Sequence, residues 1–283
     1  MPYLQLPDVR LYHTDEPGGA GRPALLVHGW LDSSDTWIHL LPALRRTRRV
    51  VTLDLRGHGS SSAPDSTYDA AELAGDLARV IRALDLGAAV VVAHSMGGSL
   101  ASRLAVEQPD LVHALVLVDP DYGGDPQERE RLRPVAEQDD PEAVARAVAR
   151  LVTAGPDART AAPHLREWHQ RTLARVPPFV VARSMRANLF APSSIRFRPA
   201  VDDLLTRRHQ PVLAFHRDPA RAALERSLRR HPASRVVDVP DVGHWIHQEH
   251  PQLVGDEVDR WLADLESHNP DPHIRGGLDD GQR

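Results

Sequence analysis

The chain alternates short, continuous apolar runs with longer segments in which apolar residues recur every three or four positions. A run without polar alternation reads as a strand buried on both faces. Such strands, alternating with amphipathic helices, predict a mostly parallel sheet covered on both sides. The runs are Ala24 to His28, Arg49 to Leu55, Ala89 to His94, Ala114 to Pro120, Pro211 to Phe215 and Ser234 to Pro240. Two weaker strands are expected before Pro17 as an antiparallel edge. After Tyr68, the residues Leu73, Leu77, Ile81 and Leu84 share one helical face, with Asp69 placed as N-cap and Glu72 three residues on. Leu253, Val254, Val258, Trp261, Leu262 and Leu265 form a similar stripe in the last helix.

The alternation stops between Asp121 and Ala200, where Ala- and Arg-rich helical segments carry no strand pattern. The expected organisation is therefore an α/β core from residues 1–120 and 201–266, with a helical lid, 121–200, inserted after the sixth strand. Residues 267–283 are polar and rich in Gly and Pro, and are expected to form a disordered tail. A length of 283 residues is ample for a large core, and 41% hydrophobic with 26% charged residues fits a soluble globular chain. A net charge of -5 gives no electrostatic case for nucleic acid or anionic lipid. No stretch is apolar enough to cross a bilayer and no leader pattern opens the chain, so the expected location is cytoplasmic, with neither membrane nor nucleic acid as a partner.

The chain has no Cys, and all 34 of its basic residues are Arg. Thiolate chemistry, disulfides, cysteine metal sites, Schiff bases and Ser-Lys dyads are thereby excluded. Among the remaining groups, Ser95 stands out. The buried run AVVVAH leads straight into it, and Met96, Gly97 and Gly98 follow into a helix carrying Leu100, Leu104 and Ala105. A serine in so tight a strand-to-helix turn projects its hydroxyl from the sheet, and the crowding demands small neighbours. Ala93 replaces the first Gly of the usual G-x-S-x-G pattern, a small departure. A serine hydroxyl needs a base to take its proton, and histidine suits neutral pH. His244, His247 and His250 also have a spacing that suggests a metal site, but Gly243 and Pro251 argue against a regular helix there, and no metal is expected.

Four motifs in order, Val27 to Trp37, Asp54 to Ser61, Ala93 to Gly98 and Gly243 to Trp245, resemble those of α/β-hydrolases over roughly residues 3 to 265. The resemblance is to the serine group of esterases, lactonases, carbon-carbon bond hydrolases and cofactor-free haloperoxidases. Epoxide hydrolases and haloalkane dehalogenases look similar but place Asp at the nucleophile position, against Ser95. The resemblance implies the α/β-hydrolase fold, no cofactor, a small-molecule substrate, Ser95 as nucleophile and His244 as base. It implies backbone oxyanion donors at Trp30 and Met96. For the acid, Asp218 follows the strand PVLAF in the order expected of the fold, and Asp119, at the end of ALVLVDP, is the alternative because some relatives place their acid there. Arg56 and His58 read as structural.

Trp168, Phe179, Met185 and Phe190 in the lid, with Trp30 and Trp245 from the core, suit a medium-sized and mainly apolar substrate. Lid arginines such as Arg171, Arg183 and Arg186 offer a partner for a substrate carboxylate. The expected activity is hydrolysis of an ester, lactone or activated carbon-carbon bond. The alternatives are a cofactor-free lyase, cyclase or perhydrolase on the same residues, or a ligand-binding protein of hydrolase fold.

Overall fold

A computed structural model describes residues 2–154 and 162–268. Eight strands form one sheet: β1 Tyr3–Gln5, β2 Arg10–Glu16, β3 Gly21–Val27, β4 Arg48–Leu53, β5 Ala89–His94, β6 Val112–Val118, β7 Val212–His216 and β8 Arg235–Asp238. Their spatial order is β1-β2-β4-β3-β5-β6-β7-β8. The first two strands pair antiparallel to each other and to β4, forming the expected edge, and every other pairing is parallel.

The parallel strands are apolar on both faces because helices cover both. Leu25, Val27, Val91 and Ala93 enter one core layer, while their alternating neighbours Leu26, Val90 and Val92 enter the other. The first layer lies under α2 Ala70–Ala83 and α3 Met96–Glu107, and the second under α1 Leu41–Leu44 and the terminal helix. In α2, Asp69 accepts from the amides of Ala71 and Glu72, and the Glu72 carboxylate accepts from the Tyr68 amide at 2.8 Å, so the expected cap forms.

Between β6 and β7 the described residues form α4 Pro126–Ala136, α5 Pro141–Ala154, α6 Pro163–Leu173, α7 Pro178–Phe190 and α8 Ala200–Thr206. Val144, Val148, Val180, Val181, Met185 and Leu189 of this stretch form, with Leu31 and Tyr68, a third apolar cluster beside the two sheet layers. By contrast, Ile195 and, from α8, Val201, Leu204 and Leu205 pack into the sheet core.

After β7 come α9 Pro219–Leu228, then β8, α10 Ile246–Glu249 and α11 Pro251–His268. The stripe read in α11 is buried except for Leu253, which is 39% exposed. The helix takes in Ser267 and His268, the first two residues of the expected tail, while 269–283 lie outside the described residues. Among the described residues no helix is long and apolar enough to cross a membrane.

Candidate active site

The strands β3, β5, β6, β7 and β8 are consecutive in the sheet, and their carboxyl ends share one edge. The chain order reverses around β3, and ligands of open parallel sheets gather at such an edge. The turns leaving these strands carry Trp30, Ser95, Asp119, Arg217 and His244 respectively.

Ser95 has φ 52° and ψ −121°, a conformation an L-residue holds only at a cost of about 1–3 kcal/mol. Its amide donates to the Val118 carbonyl at 3.0 Å, and its own carbonyl accepts from Gly98 and Asp121 at 2.9 and 3.0 Å. These bonds tie the strained turn to the ends of β5 and β6. A Cβ at Gly97 would sit 2.6 Å from the carbonyl oxygens of Val27 and His28, and one at Gly98 would meet Pro120 at 2.8 Å. Both glycines are therefore demanded by the close approach of β3 and β6. Ala93 is fully buried in register with Val27 and Leu117, where a methyl group fits the core.

His244 Nε2 lies 2.8 Å from Ser95 Oγ, and His244 Nδ1 lies 2.6 Å from Asp119 Oδ2. With an ionised Asp119 accepting from Nδ1–H, the Nε2 lone pair accepts the serine proton. Burial opposes ionisation of Asp119, but the hydrogen bond and charge of His244 and of Arg217 outweigh it and hold the carboxyl well below the usual carboxylate range. Arg217 Nε donates to the same Oδ2 at 2.8 Å. Asp119 is itself strained, at φ 42°, and its amide donates to the Phe215 carbonyl at 2.8 Å, which fixes the turn after β6 against β7.

Asp218, the acid expected from the sequence, makes none of these contacts. It is exposed, and its Oδ1 accepts from the amides of Ala220 and Arg221 as the N-cap of α9, with Pro219 in the first helical turn. The correction has a plain physical reason: Asp followed by Pro and Ala is a helix-start signal. The neighbour of β5, where Ser95 emerges, is β6 with Asp119, and not β7.

Several further residues hold the histidine loop. His94 Nε2 donates to the His244 carbonyl at 3.0 Å, and burial, with the nearby His244 and His247 rings, keeps the His94 imidazole neutral well below its ordinary range. The Trp245 ring stacks on His169 of α6, with centroids 3.5 Å apart and planes 19° from parallel. Trp245 Nε1 donates to Asp32 at 3.1 Å, and burial pushes the Asp32 carboxyl up to about 6. His169 Nε2 lies 2.7 Å from Gln248 Oε1, which makes that nitrogen the donor. The loop after β3 is held by His28, whose Nδ1 donates to the Gly29 carbonyl at 2.7 Å while Nε2 accepts from the Leu55 amide at 3.0 Å. Arg56 is fully buried against Asp76, Glu72 and Asp8, and His58 Nδ1 donates to the Arg56 carbonyl.

A cavity of about 420 Å³ opens over Ser95 and His244. Trp30, Met185 and Trp245 line it, as read from the sequence, with Leu132, Val148 and Val152 beside them. Trp168, Phe179 and Phe190 do not line it. Phe179 packs edge-on against Tyr68, Phe190 lies under Arg133, and Trp168 is half-buried on α6. The three lid arginines also lie elsewhere: Arg171 pairs with Glu167, Arg183 with Asp65, and Arg186 donates to the Ala136 carbonyl. The arginines that do line the cavity are Arg196, Arg217 and Arg221, which the sequence did not single out. Met96 is buried at the first position of α3, where an amide has no intrahelical partner.

The chain belongs to the alpha/beta hydrolase family, whose profile matches residues 24–257. Among curated relatives, it is 28% identical over 271 residues to mouse (Mus musculus) sn-1-specific diacylglycerol lipase ABHD11, covering 87% of this chain and 83% of that protein. It is 38% identical over 132 residues to the dihydrolipoyllysine-residue acetyltransferase component of the acetoin cleaving system of Cupriavidus necator, covering 42% of this chain and 35% of that protein. The match thus spans about a third of that relative's length. The crystal structure of the enol-lactonase from Burkholderia xenovorans LB400 superposes with a TM-score of 0.75 at 20% identity, over 93% of this chain and 100% of that one, a likeness of fold.

Proposed function

We propose that this protein is a serine hydrolase of carboxylic esters or lactones, with Ser95 as nucleophile, His244 as general base and Asp119 as the acid that orients it. The observation that carries the reading is the continuous chain of contacts from Ser95 Oγ through both ring nitrogens of His244 to Asp119, at 2.8 and 2.6 Å. In this reading His244 takes the serine proton as Oγ attacks the carbonyl carbon, and Asp119 stabilises the resulting imidazolium. His244 then gives the proton to the leaving oxygen, and the acyl-enzyme is cleared by a water that His244 activates in the same way. The amides of Trp30 and Met96 receive the oxyanion, each worth roughly 3 kcal/mol of barrier.

The cavity supports a small, mainly apolar acyl or alkyl portion, and the diacylglycerol lipase and enol-lactonase names among the similar proteins are compatible with ester-type substrates. No metal or organic cofactor enters this chemistry, and a soluble cytoplasmic setting suits it. Release of nitrophenol from short nitrophenyl esters tests the reading. Turnover that falls by roughly a thousandfold or more in Ser95→Ala supports it, whereas equal turnover by both proteins refutes it.

A further inference from the structure

The cavity over Ser95 has two chemically different walls. Leu132 of α4, Val148 and Val152 of α5, and Met185 and Leu189 of α7 make one wall apolar. Arg196, Arg217 and Arg221 line the other together with the carboxylates of Asp121 and Glu128, a charged wall that is unusual company for a purely apolar substrate. These guanidinium groups gather around the segment that follows β6, the same segment whose Asp121 amide donates to the Ser95 carbonyl.

The three are engaged to different extents. Arg196 pairs with Asp121 and with Glu128, the latter at 2.7 Å. Arg217 donates to Asp119. Arg221 makes two long contacts, 3.4 Å to the Pro120 carbonyl and 3.6 Å to an Asp121 carboxylate that Arg196 already holds, and 24% of its side chain is exposed. A guanidinium has five donors in a planar fork, and long contacts to a shared partner leave much of that fork unused. Arg221 belongs to the first turn of α9 and Arg217 directly precedes its N-cap, so both are held by the turn leaving β7.

Resting on the serine-hydrolase reading and deepening it, we infer that the substrate is an anionic ester or lactone. Its scissile carbonyl lies over Ser95, its hydrocarbon arm against α4, α5 and α7, and a carboxylate on the far side is bound by Arg221. The pairing replaces the long Asp121 contact with a bidentate one in a partly desolvated site, where charge-assisted hydrogen bonds are strongest. Asp121 stays paired with Arg196. A neutral ester of the same length fills the apolar wall but leaves Arg221 as it is.

The test compares the mono-nitrophenyl ester of a linear dicarboxylic acid with the uncharged nitrophenyl ester of the monocarboxylic acid of equal chain length. The native protein is expected to favour the anionic ester in kcat/KM by roughly tenfold or more, the worth of one charge-assisted hydrogen bond. Arg221→Gln is expected to remove that preference mainly through KM, Arg221→Lys to restore part of it, and high salt to weaken it. Thermal unfolding checks that the variants are folded. As a reading independent of turnover, Ser95→Ala is expected to bind the monomethyl ester of the dicarboxylic acid more tightly than the methyl ester of the monocarboxylic acid of equal chain length, and Ser95→Ala with Arg221→Gln is expected not to. Equal kcat/KM for the two esters, or a preference that survives Arg221→Gln, overturns the proposal while leaving the hydrolase reading intact. Absence of turnover with both esters overturns the hydrolase reading and this one with it, unless Ser95→Ala still shows the binding preference, which supports the anion site alone.

Discussion

One oxygen of Asp119 accepts from both His244 and Arg217, at 2.6 and 2.8 Å. Replacing it by Asn keeps the shape but removes the charge and offers the imidazole a donor, which favours the wrong tautomer. Asp119→Asn is therefore expected to lower kcat by roughly a thousandfold or more. Asp218→Ala is expected to keep its rate and to lose about 1 kcal/mol of stability, because only the cap of α9 is lost. Steady-state rates and urea unfolding of the two variants check both statements, and the reverse pattern of rates contradicts the geometry. Ser95 and His244 were legible in the sequence because each sits in a local pattern, a buried run followed by small residues and a GHW turn before the last helix. The acid was not, since an Asp follows β6 and β7 alike and their local sequences do not say which strand adjoins β5. Arg217 and Arg221 were hidden for the same reason: each looks like a solvated arginine until the turn after β7 is set against the turn after β6.

Helix α6 meets the core through His169, whose ring stacks on Trp245 and whose Nε2 donates to Gln248. Losing both contacts is expected to cost about 1–3 kcal/mol locally, so in His169→Ala the amides of Pro163–Leu173 should exchange hydrogen faster than the sheet does. Unchanged exchange there contradicts this docking role. At the elbow, Gly97→Ala puts a methyl group against the carbonyl oxygens of Val27 and His28, and neither backbone group can move without shifting β3. It is expected to lower the unfolding midpoint by an amount equivalent to about 1–3 kcal/mol. The strands of the core were readable as elements because burial on both faces makes each a solid apolar run. The inserted helices were readable only as a stretch without strands. Which of their aromatic residues meet the cavity depends on helix rotation, and so Met185 lines it while Phe179, in the same helix, packs against Tyr68.

The whole molecule buries several neutral histidines, and their linkage to folding sets an acid limit. Burial lowers His28 to about 4, His58 to about 3 and His169 to about 4, whereas unfolded histidine titrates near 6.5. Between these values the unfolded chain binds more protons, so stability is lost as pH falls from about 6.5 towards 4, at about 1.4 kcal/mol per pH unit for each such proton. Asp32, pushed up to about 6, and Asp76, also raised by burial, act in the opposite sense, but burial lowers His13, His94 and His247 as well, so the histidines outnumber these two carboxyls. Urea midpoints should therefore drop from pH 7 to pH 5, and a flat or rising profile contradicts the assignment of these rings as buried and neutral. The claim on which the rest depends is that the Ser95 hydroxyl is activated by His244. Its most direct measurement is peptide mapping after treatment with a fluorophosphonate. One adduct is expected, on Ser95 in the tryptic peptide 83–103, and lost in Ser95→Ala. An adduct at another residue, or equal labelling of Ser95→Ala, contradicts it.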